Sequence, residues 1–335
     1  MEHDVPVRAP STEEPLFHQA GTEPERPLPP FTVRAPRQRF QHKPWKHVLL
    51  LVITFATTTL AGACHYEAFA SDFNRVQVNL AFSALLVKGI WYSGTILAIL
   101  GAHEFGHYYL CRKYNVDATL PYFIPAPLLT GTLGAVIRIR EAFPTRTALF
   151  DIGVAGPIAG FVVLVPALFW GMSLSAVTTE PPISRDLLAL GEPLLFRMAS
   201  LAVFGQLPEG QTVNIHPMAF AAWFGMLATA LNLLPFGQLD GGHISYATLG
   251  RWATPLSLVT VLFAIVMTFV STSWLVMTTM LVIMLAVLGP RHPHVIHEYE
   301  PLGPNRKAVA ILAFAMLAVC FTPAPIEPYE LIGGR

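Results

Sequence analysis

The chain has 335 residues, of which 53% are hydrophobic and only 13% charged, and its formal net charge at pH 7 is zero. This composition is too apolar for an ordinary soluble domain. The balanced charge, without a run of Lys or Arg, gives no basis for nucleic-acid binding. The composition therefore predicts a polytopic membrane protein that is embedded in a lipid bilayer.

The first predicted element, residues 1–46, is a disordered cytosolic tail. It is rich in Pro and charged residues and has almost no apolar periodicity. Its acidic residues argue against an organellar transit peptide, and no apolar segment lies close enough to Met1 for a cleavable signal. The expected location is therefore the inner (cytoplasmic) membrane of a cell, with the tail still attached.

Seven apolar segments follow, and they define an intramembrane domain over residues 47–325. The predicted helices cover 47–64, 89–110, 147–172, 216–235, 255–270, 273–288 and 308–321. The uncharged stretch 255–290 would be roughly 54 Å long as one helix, which exceeds a bilayer core of about 30 Å, so it is divided at residues 271–273. The predicted fold class is an all-α polytopic membrane protein with a small cytosolic-side β element and a C-terminal tail, 326–335.

The distribution of Lys and Arg orients these helices. If the N-terminus is cytosolic, the tail and segments 111–146, 237–254 and 289–307 are cytosolic too, and they hold most of the basic residues. The residues that remain on the outside are Arg75, Lys88, Arg185, Arg197 and Arg335. Because basic residues favour the cytosolic side, this asymmetry supports a cytosolic N-terminus.

The second predicted helix carries His103, Glu104 and His107 in the spacing HExxH. Two histidines four residues apart lie on one helix face and can bind a single zinc ion, while Glu104 can activate a zinc-bound water. Ionisable groups are costly inside a membrane and therefore indicate function, although a buried polar network is the alternative. Since Arg112 and Lys113 follow within about three helical turns, the site is predicted to lie within the bilayer toward the cytosolic side.

A catalytic zinc site usually has three protein ligands, so one ligand beyond the two histidines is expected. Asp240 is the candidate, because it follows the fourth predicted span in a run that contains the Pro and Gly needed to bend the backbone at a helix end. A cytosolic turn at Asp240 is the alternative interpretation. His243 is a competing ligand.

These motifs together resemble the site-2 protease family (peptidase family M50) of intramembrane zinc metalloproteases. The resemblance rests on HExxH in an apolar helix, followed by Asn232-x-x-Pro235-x-x-x-Leu239-Asp240-Gly241. Segments 121–125, 131–135 and 156–160 are similar to the branch that includes PDZ-less bacterial members and chloroplast EGY-type proteins. Neither 111–146 nor 173–215 can hold a PDZ domain of about 100 residues.

The resemblance implies a zinc metalloendopeptidase that performs regulated intramembrane proteolysis. It implies that His103, His107 and Asp240 bind zinc and that Glu104 acts as general base and proton carrier. It also implies that Asn232 contacts the substrate or the tetrahedral intermediate. The implied partners are single-pass transmembrane proteins that are cut within their membrane-spanning segments.

Two further sequence features bear on this function. Segment 134–140 alternates β-branched residues, which predicts a strand that could pair with an extended substrate, with an ordinary cytosolic hairpin as the alternative. Gly153, Gly156 and Gly160 are interpreted as a helix-packing surface.

Two other functions compete with proteolysis. A divalent-metal transporter can also carry His and Asp inside the membrane, but transporters need a path to both sides and often have repeated halves, and this sequence shows no repeat. A non-cleaving binder of membrane proteins is the other alternative, and the intact Glu104 argues against it.

Overall fold

The computed structural model describes residues 39–181, 188–289, 295–297 and 301–328. These residues form nine α-helices: α1 (Pro44–Ala70), α2 (Phe82–Lys113), α3 (Arg146–Ser173), α4 (Leu194–Phe204), α5 (Pro217–Asn232), α6 (Asp240–Leu249), α7 (Ala253–Met267), α8 (Trp274–Leu288) and α9 (Pro304–Cys320). They also form six short strands: β1 (Tyr122–Pro125), β2 (Thr132–Val136), β3 (Ala176–Thr179), β4 (Leu188–Leu190), β5 (Gln211–Asn214) and β6 (Ile326–Pro328). The strands pair in two-stranded antiparallel sheets, β1 with β2, β3 with β5 and β4 with β6.

Among the described residues, four helical segments are long and apolar enough to cross a membrane. They are α1, α2, α3 and the stretch Asp240–Met267, in which a short 3-10 turn joins α6 to α7. The chain is therefore mostly helical and membrane-spanning, as predicted, but helix length does not confirm seven spans. The uncharged segment 255–290 is divided, because α7 ends at Met267 and α8 begins at Trp274.

The ends of the central helices follow from local sequence chemistry. Pro44 starts α1, where its missing N–H removes no helical hydrogen bond. The Thr145 hydroxyl oxygen accepts the N–H of Ala148 at the start of α3. Arg112 and Lys113 lie in the last turn of α2, where a positive charge complements the helix dipole. Helices α2, α3 and α5 pack around a shared apolar core, and this group of helices positions the site described below.

The segment between α2 and α3, predicted to be a cytosolic connection with a small β element, forms the hairpin of β1 and β2. The hairpin of β1 and β2 lies along α1, with its base and its turn held by two histidines of that helix. His47 Nδ1 lies 3.1 Å from the Pro121 carbonyl oxygen, and His65 Nε2 lies 2.8 Å from the Leu129 carbonyl oxygen. These histidines are separated by about 27 Å of helix, so the hairpin follows α1 through most of a span.

Polar side chains of α1 and α2 satisfy the backbone of the hairpin turn. Three consecutive carbonyl oxygens are paired: Leu129 with His65 Nε2, Thr130 with the Tyr92 hydroxyl at 3.0 Å, and Gly131 with the Thr57 hydroxyl at 2.7 Å. Irregular backbone is tolerated at membrane depth only where the protein itself pairs its polar groups. The paired carbonyls therefore allow the hairpin turn to pack against α1 and α2 without leaving these backbone groups unsatisfied.

Replacing Gly131 by Ala is expected to destabilise the protein by about 2 to 4 kcal/mol, because two costs add. Gly131 has φ +71°, which is unfavourable for Ala, and an added Cβ would lie 2.5 Å from Thr58 Cα. Thermal unfolding of the purified protein in detergent measures the effect. The control is Gly94→Ala in α2, where no atom lies within 4 Å of an added Cβ; equal midpoints for the two variants would contradict the account.

The described residues include the last part of the first predicted tail and the first part of the second. Residues 1–38 and 329–335 lie outside the described residues. From Arg39 onward the chain contacts the helical body, since Arg39 Nε lies 3.0 Å from Glu141 Oε1. At the other end, β6 pairs with β4, so Ile326–Pro328 belongs to a small sheet. Strands β3 to β6 were not predicted, because runs of three or four residues give too little periodicity to recognise.

Candidate metal centre

Three side chains from two helices converge on one point. His103 and His107 lie one turn apart on α2, and Asp240 is the first residue of α6. His103 Nε2 lies 3.1 Å from Asp240 Oδ2, His107 Nε2 lies 3.3 Å from Asp240 Oδ1, and the two Nε2 atoms are 3.1 Å apart. Within the described parts of the chain, no other group of three His, Cys, Asp or Glu residues has this arrangement.

The arrangement fits a tetrahedral zinc ion. Ligand atoms at about 2.0–2.1 Å from a shared tetrahedral centre are separated by roughly 3.3 Å. The two Nε2 atoms lie 3.1 Å apart, and each lies 3.1 to 3.3 Å from a different oxygen of Asp240. Two imidazole nitrogens and one carboxylate are also a donor set typical of catalytic zinc. Because both histidines are buried, a divalent cation would compensate the Asp240 charge in a region that excludes water.

The position of α6 distinguishes Asp240 from the competing ligand His243. His243 lies one turn further along the helix, where its Cβ faces Gly153 and its ring packs against Phe143. Two glycines follow Asp240, and an added Cβ on Gly241 would lie 2.0 Å from the Leu233 carbonyl oxygen. Glycine therefore allows the start of α6 to pack closely against the preceding segment, so Asp240 does not lie in a solvated turn.

Glu104 and Asn232 complete the group that the sequence selected. Glu104 is buried beside the ligands, with Oε1 at 4.0 Å from His103 Nε2. The backbone N–H of Ile137, the residue after β2, lies near the Glu104 carboxylate and interacts with it electrostatically. Asn232, the last residue of α5, places Nδ2 3.4 Å from His103 Nε2. The structure thus brings together all five predicted site residues and adds the end of the β1–β2 hairpin.

Helix α3 forms a wall behind the two histidines. His107 Nδ1 lies 2.7 Å from the Ile152 carbonyl oxygen. An added Cβ on Gly156 would lie 2.1 Å from His107 Nε2, and one on Gly160 would lie 3.2 Å from His103 Cβ. The glycines are a packing surface, as predicted: Gly156 and Gly160 pack against the two converging histidines, and Gly153 packs against His243.

The contribution of α3 was missed in the sequence for two reasons. The glycine spacing placed Gly153, Gly156 and Gly160 on one helix face, yet no sequence pattern shows which helix that face meets. Ile152 acts through its backbone carbonyl, which every residue has. Only the packing of α3 against α2 identifies it as a partner of His107.

Comparisons with known proteins, like the geometry, indicate a zinc site. Residues 91–276 match the model of peptidase family M50. The chain is similar to "Probable zinc metalloprotease EGY2, chloroplastic" of Oryza sativa subsp. indica, with 31% identity over 257 residues, which cover 74% of this chain and 45% of the relative. It is also similar to "Probable zinc metalloprotease EGY1, chloroplastic" of Arabidopsis thaliana, with 36% identity over 162 residues, which cover 47% of this chain and 29% of the relative.

These matches have a limited extent. They span less than half the length of the two relatives. No solved structure matches the chain. The matched region nevertheless contains the residues that converge in the site, from His103 on α2 to Asp240 on α6.

Proposed function

The chain belongs to peptidase family M50, and on that basis we propose that it is a zinc-dependent intramembrane endopeptidase. The observation that carries the proposal is the convergence of His103, His107 and Asp240 on one point, with Glu104 beside them. Helix α2, which carries the two histidines and Glu104, and α3, which packs behind them, are both long enough to cross a membrane. A buried hydrolytic site between such helices suits a substrate that is itself a membrane segment.

Each residue has a distinct task in this proposal. A bound zinc ion would supply an acidified water and polarise the carbonyl group of the scissile bond. Glu104 accepts a proton from the attacking water and returns it to the leaving amine. The Asn232 amide faces the same space and donates a hydrogen bond to the oxygen that becomes negatively charged. His107 is held by the Ile152 carbonyl, which keeps the proton on Nδ1 and leaves Nε2 free as a ligand.

The proposed substrates are membrane-spanning segments of single-pass proteins. A transmembrane helix pairs its carbonyls internally, so it must unwind locally before it is cut and then needs new backbone partners. Strand β2 is suited to provide these partners, since it pairs with β1 alone in a two-stranded sheet. It leads to Ile137, whose N–H lies near the Glu104 carboxylate. An extended substrate that pairs along β2 would pass directly beside the catalytic carboxylate.

The proposed orientation places the site toward the cytosolic side of an inner membrane. Arg112 and Lys113 end α2 about three turns beyond His103, and basic residues favour the cytosol. Helices α5, α8 and α9 are proposed to complete seven spans together with the four long segments. The N-terminus is then cytosolic.

Replacing any one of His103, His107 or Asp240 by Ala is expected to reduce bound zinc from about one ion per protein to nearly none, because a structured site with two ligands binds zinc far more weakly. The matched control is His243→Ala, which removes an imidazole one turn from Asp240. Zinc content after gel filtration in detergent measures the result. Loss of zinc in the His243 variant together with retention in the Asp240 variant would contradict the ligand assignment.

A further inference from the structure

A second polar cluster joins the ends of three helices near the metal centre. Asp151 on α3 accepts two hydrogen bonds from Arg306 on α9, from Nε to Oδ1 and from Nη2 to Oδ2, each at 2.8 Å. Tyr114, the residue that ends α2, donates its hydroxyl to Oδ2 of the same carboxylate. One carboxylate therefore connects the catalytic helix α2 to α3 and α9.

The geometry of this cluster restricts how α2, α3 and α9 can move relative to one another. A two-bond contact between arginine and a carboxylate fixes both the distance and the plane of the two groups. Burial raises the pKa of Tyr114, and the neighbouring Asp151 raises it further, so the hydroxyl keeps its proton and remains a donor. The carboxylate is also shielded more than a typical surface ion pair, since its side chain is 19% exposed.

Asp151 is adjacent in sequence to the group that orients a metal ligand. The carbonyl oxygen of the next residue, Ile152, accepts the hydrogen bond of His107 Nδ1. That bond selects the tautomer and the ring orientation that direct Nε2 toward Asp240. Because consecutive residues on a helix move together, the position of the Asp151 carboxylate determines where the Ile152 carbonyl lies.

We propose that Asp151 is a positioning residue for the zinc site. Through its contacts with Tyr114 and Arg306 it fixes the position of α3 against α2 and α9. Helices α2 and α3 are then joined by two polar links, Tyr114 to Asp151 and His107 to Ile152. Two links fix both sliding and rotation of one helix against the other, whereas the second link alone would permit rotation about it. The inference rests on the proposed function, since it concerns the same zinc site.

The test compares zinc binding by the full-length protein in detergent with that of Asp151→Asn and Tyr114→Phe. Zinc dissociation constants are measured by competition with a chelator, and the visible absorption of Co²⁺ reports the geometry of the site. The matched control is Asp72→Asn, which removes a carboxylate paired with Arg75 in the connection from α1 to α2, far along the chain from the metal centre.

Asp151→Asn is expected to weaken zinc binding by about 10- to 100-fold, the range typical of groups that orient metal ligands, and to change the Co²⁺ spectrum. Tyr114→Phe keeps the ion pair and is expected to have a smaller effect of at least about threefold. Asp72→Asn should match the intact protein. If Asp151→Asn does not fold, the Tyr114 variant decides the question.

Unchanged zinc affinity and an unchanged Co²⁺ spectrum in the folded Asp151 variant would overturn this inference alone, provided that the intact protein binds zinc and cuts its substrate. The same result for Tyr114→Phe would overturn it if the Asp151 variant does not fold. An intact protein that binds no zinc would overturn the proposed function, and this inference with it.

Discussion

Glu104→Gln is expected to lower kcat for peptide cleavage by about 10²- to 10⁴-fold while zinc remains bound, because an amide cannot take the proton of the attacking water. Zinc should be retained because Glu104 is not one of the three converging ligands and its Oε1 lies 4.0 Å from His103 Nε2. The two quantities are measured on the same preparation, kcat with a membrane substrate in liposomes and zinc by elemental analysis.

The matched control for this substitution is Glu141→Gln. Glu141 pairs with Arg39 at the surface, so its loss should leave kcat close to that of the intact protein. A Glu104→Gln protein that retains more than about a tenth of kcat would contradict the assignment of Glu104 as the proton carrier. Loss of zinc from that variant would instead make Glu104 a ligand.

Gly156→Ala is expected to have the second large effect, a loss of zinc affinity of about 100-fold or more. An added Cβ would lie 2.1 Å from His107 Nε2, which is the atom that faces the metal. The ring has no free direction in which to move, because Ile152 holds Nδ1 and Asp240 lies beside Nε2. The measurement is the zinc dissociation constant in detergent, with thermal unfolding recorded in parallel.

A graded control is available on the same helix face. An added Cβ on Gly160 would lie 3.2 Å from His103 Cβ, a contact that a shift of a few tenths of an ångström relieves. Gly160→Ala should therefore weaken zinc binding much less than Gly156→Ala. Equal affinities for the two variants, both folded, would show that α3 does not constrain the imidazoles.

The parts of the site that follow from local chemistry were readable in the sequence. His103, Glu104 and His107 are fixed relative to one another by helix geometry, so their spacing alone places the two histidines on one face with Glu104 beside it. The choice between Asp240 and His243 could not be made in this way. It depends on how α6 packs against α3, where Gly153 lies close to His243, and against the end of α5, where Gly241 lies close to Leu233.

The packing of the β1–β2 hairpin along α1 could not be predicted from the sequence, for a physical reason. Residues 111–146 contain charged residues and no apolar run of about 20 residues, so they were predicted to connect two spans on the cytosolic side. The hydrogen bonds that allow this backbone to lie beside α1 come from Thr57, His65 and Tyr92, all more than thirty residues away in sequence. Such long-range pairing leaves no local sequence pattern in the hairpin itself. The polar residues of α1 indicate only that this helix has polar partners.

The most direct test of the account is to reconstitute the intact protein and Glu104→Gln in liposomes with single-pass membrane proteins, and to map new peptide termini by mass spectrometry while zinc flux is recorded. The account predicts new termini inside the apolar spans of the substrates, formed by the intact protein only, with no zinc flux in either sample. Identical peptides from both samples, together with zinc transport by both, would contradict intramembrane proteolysis and identify a transporter instead.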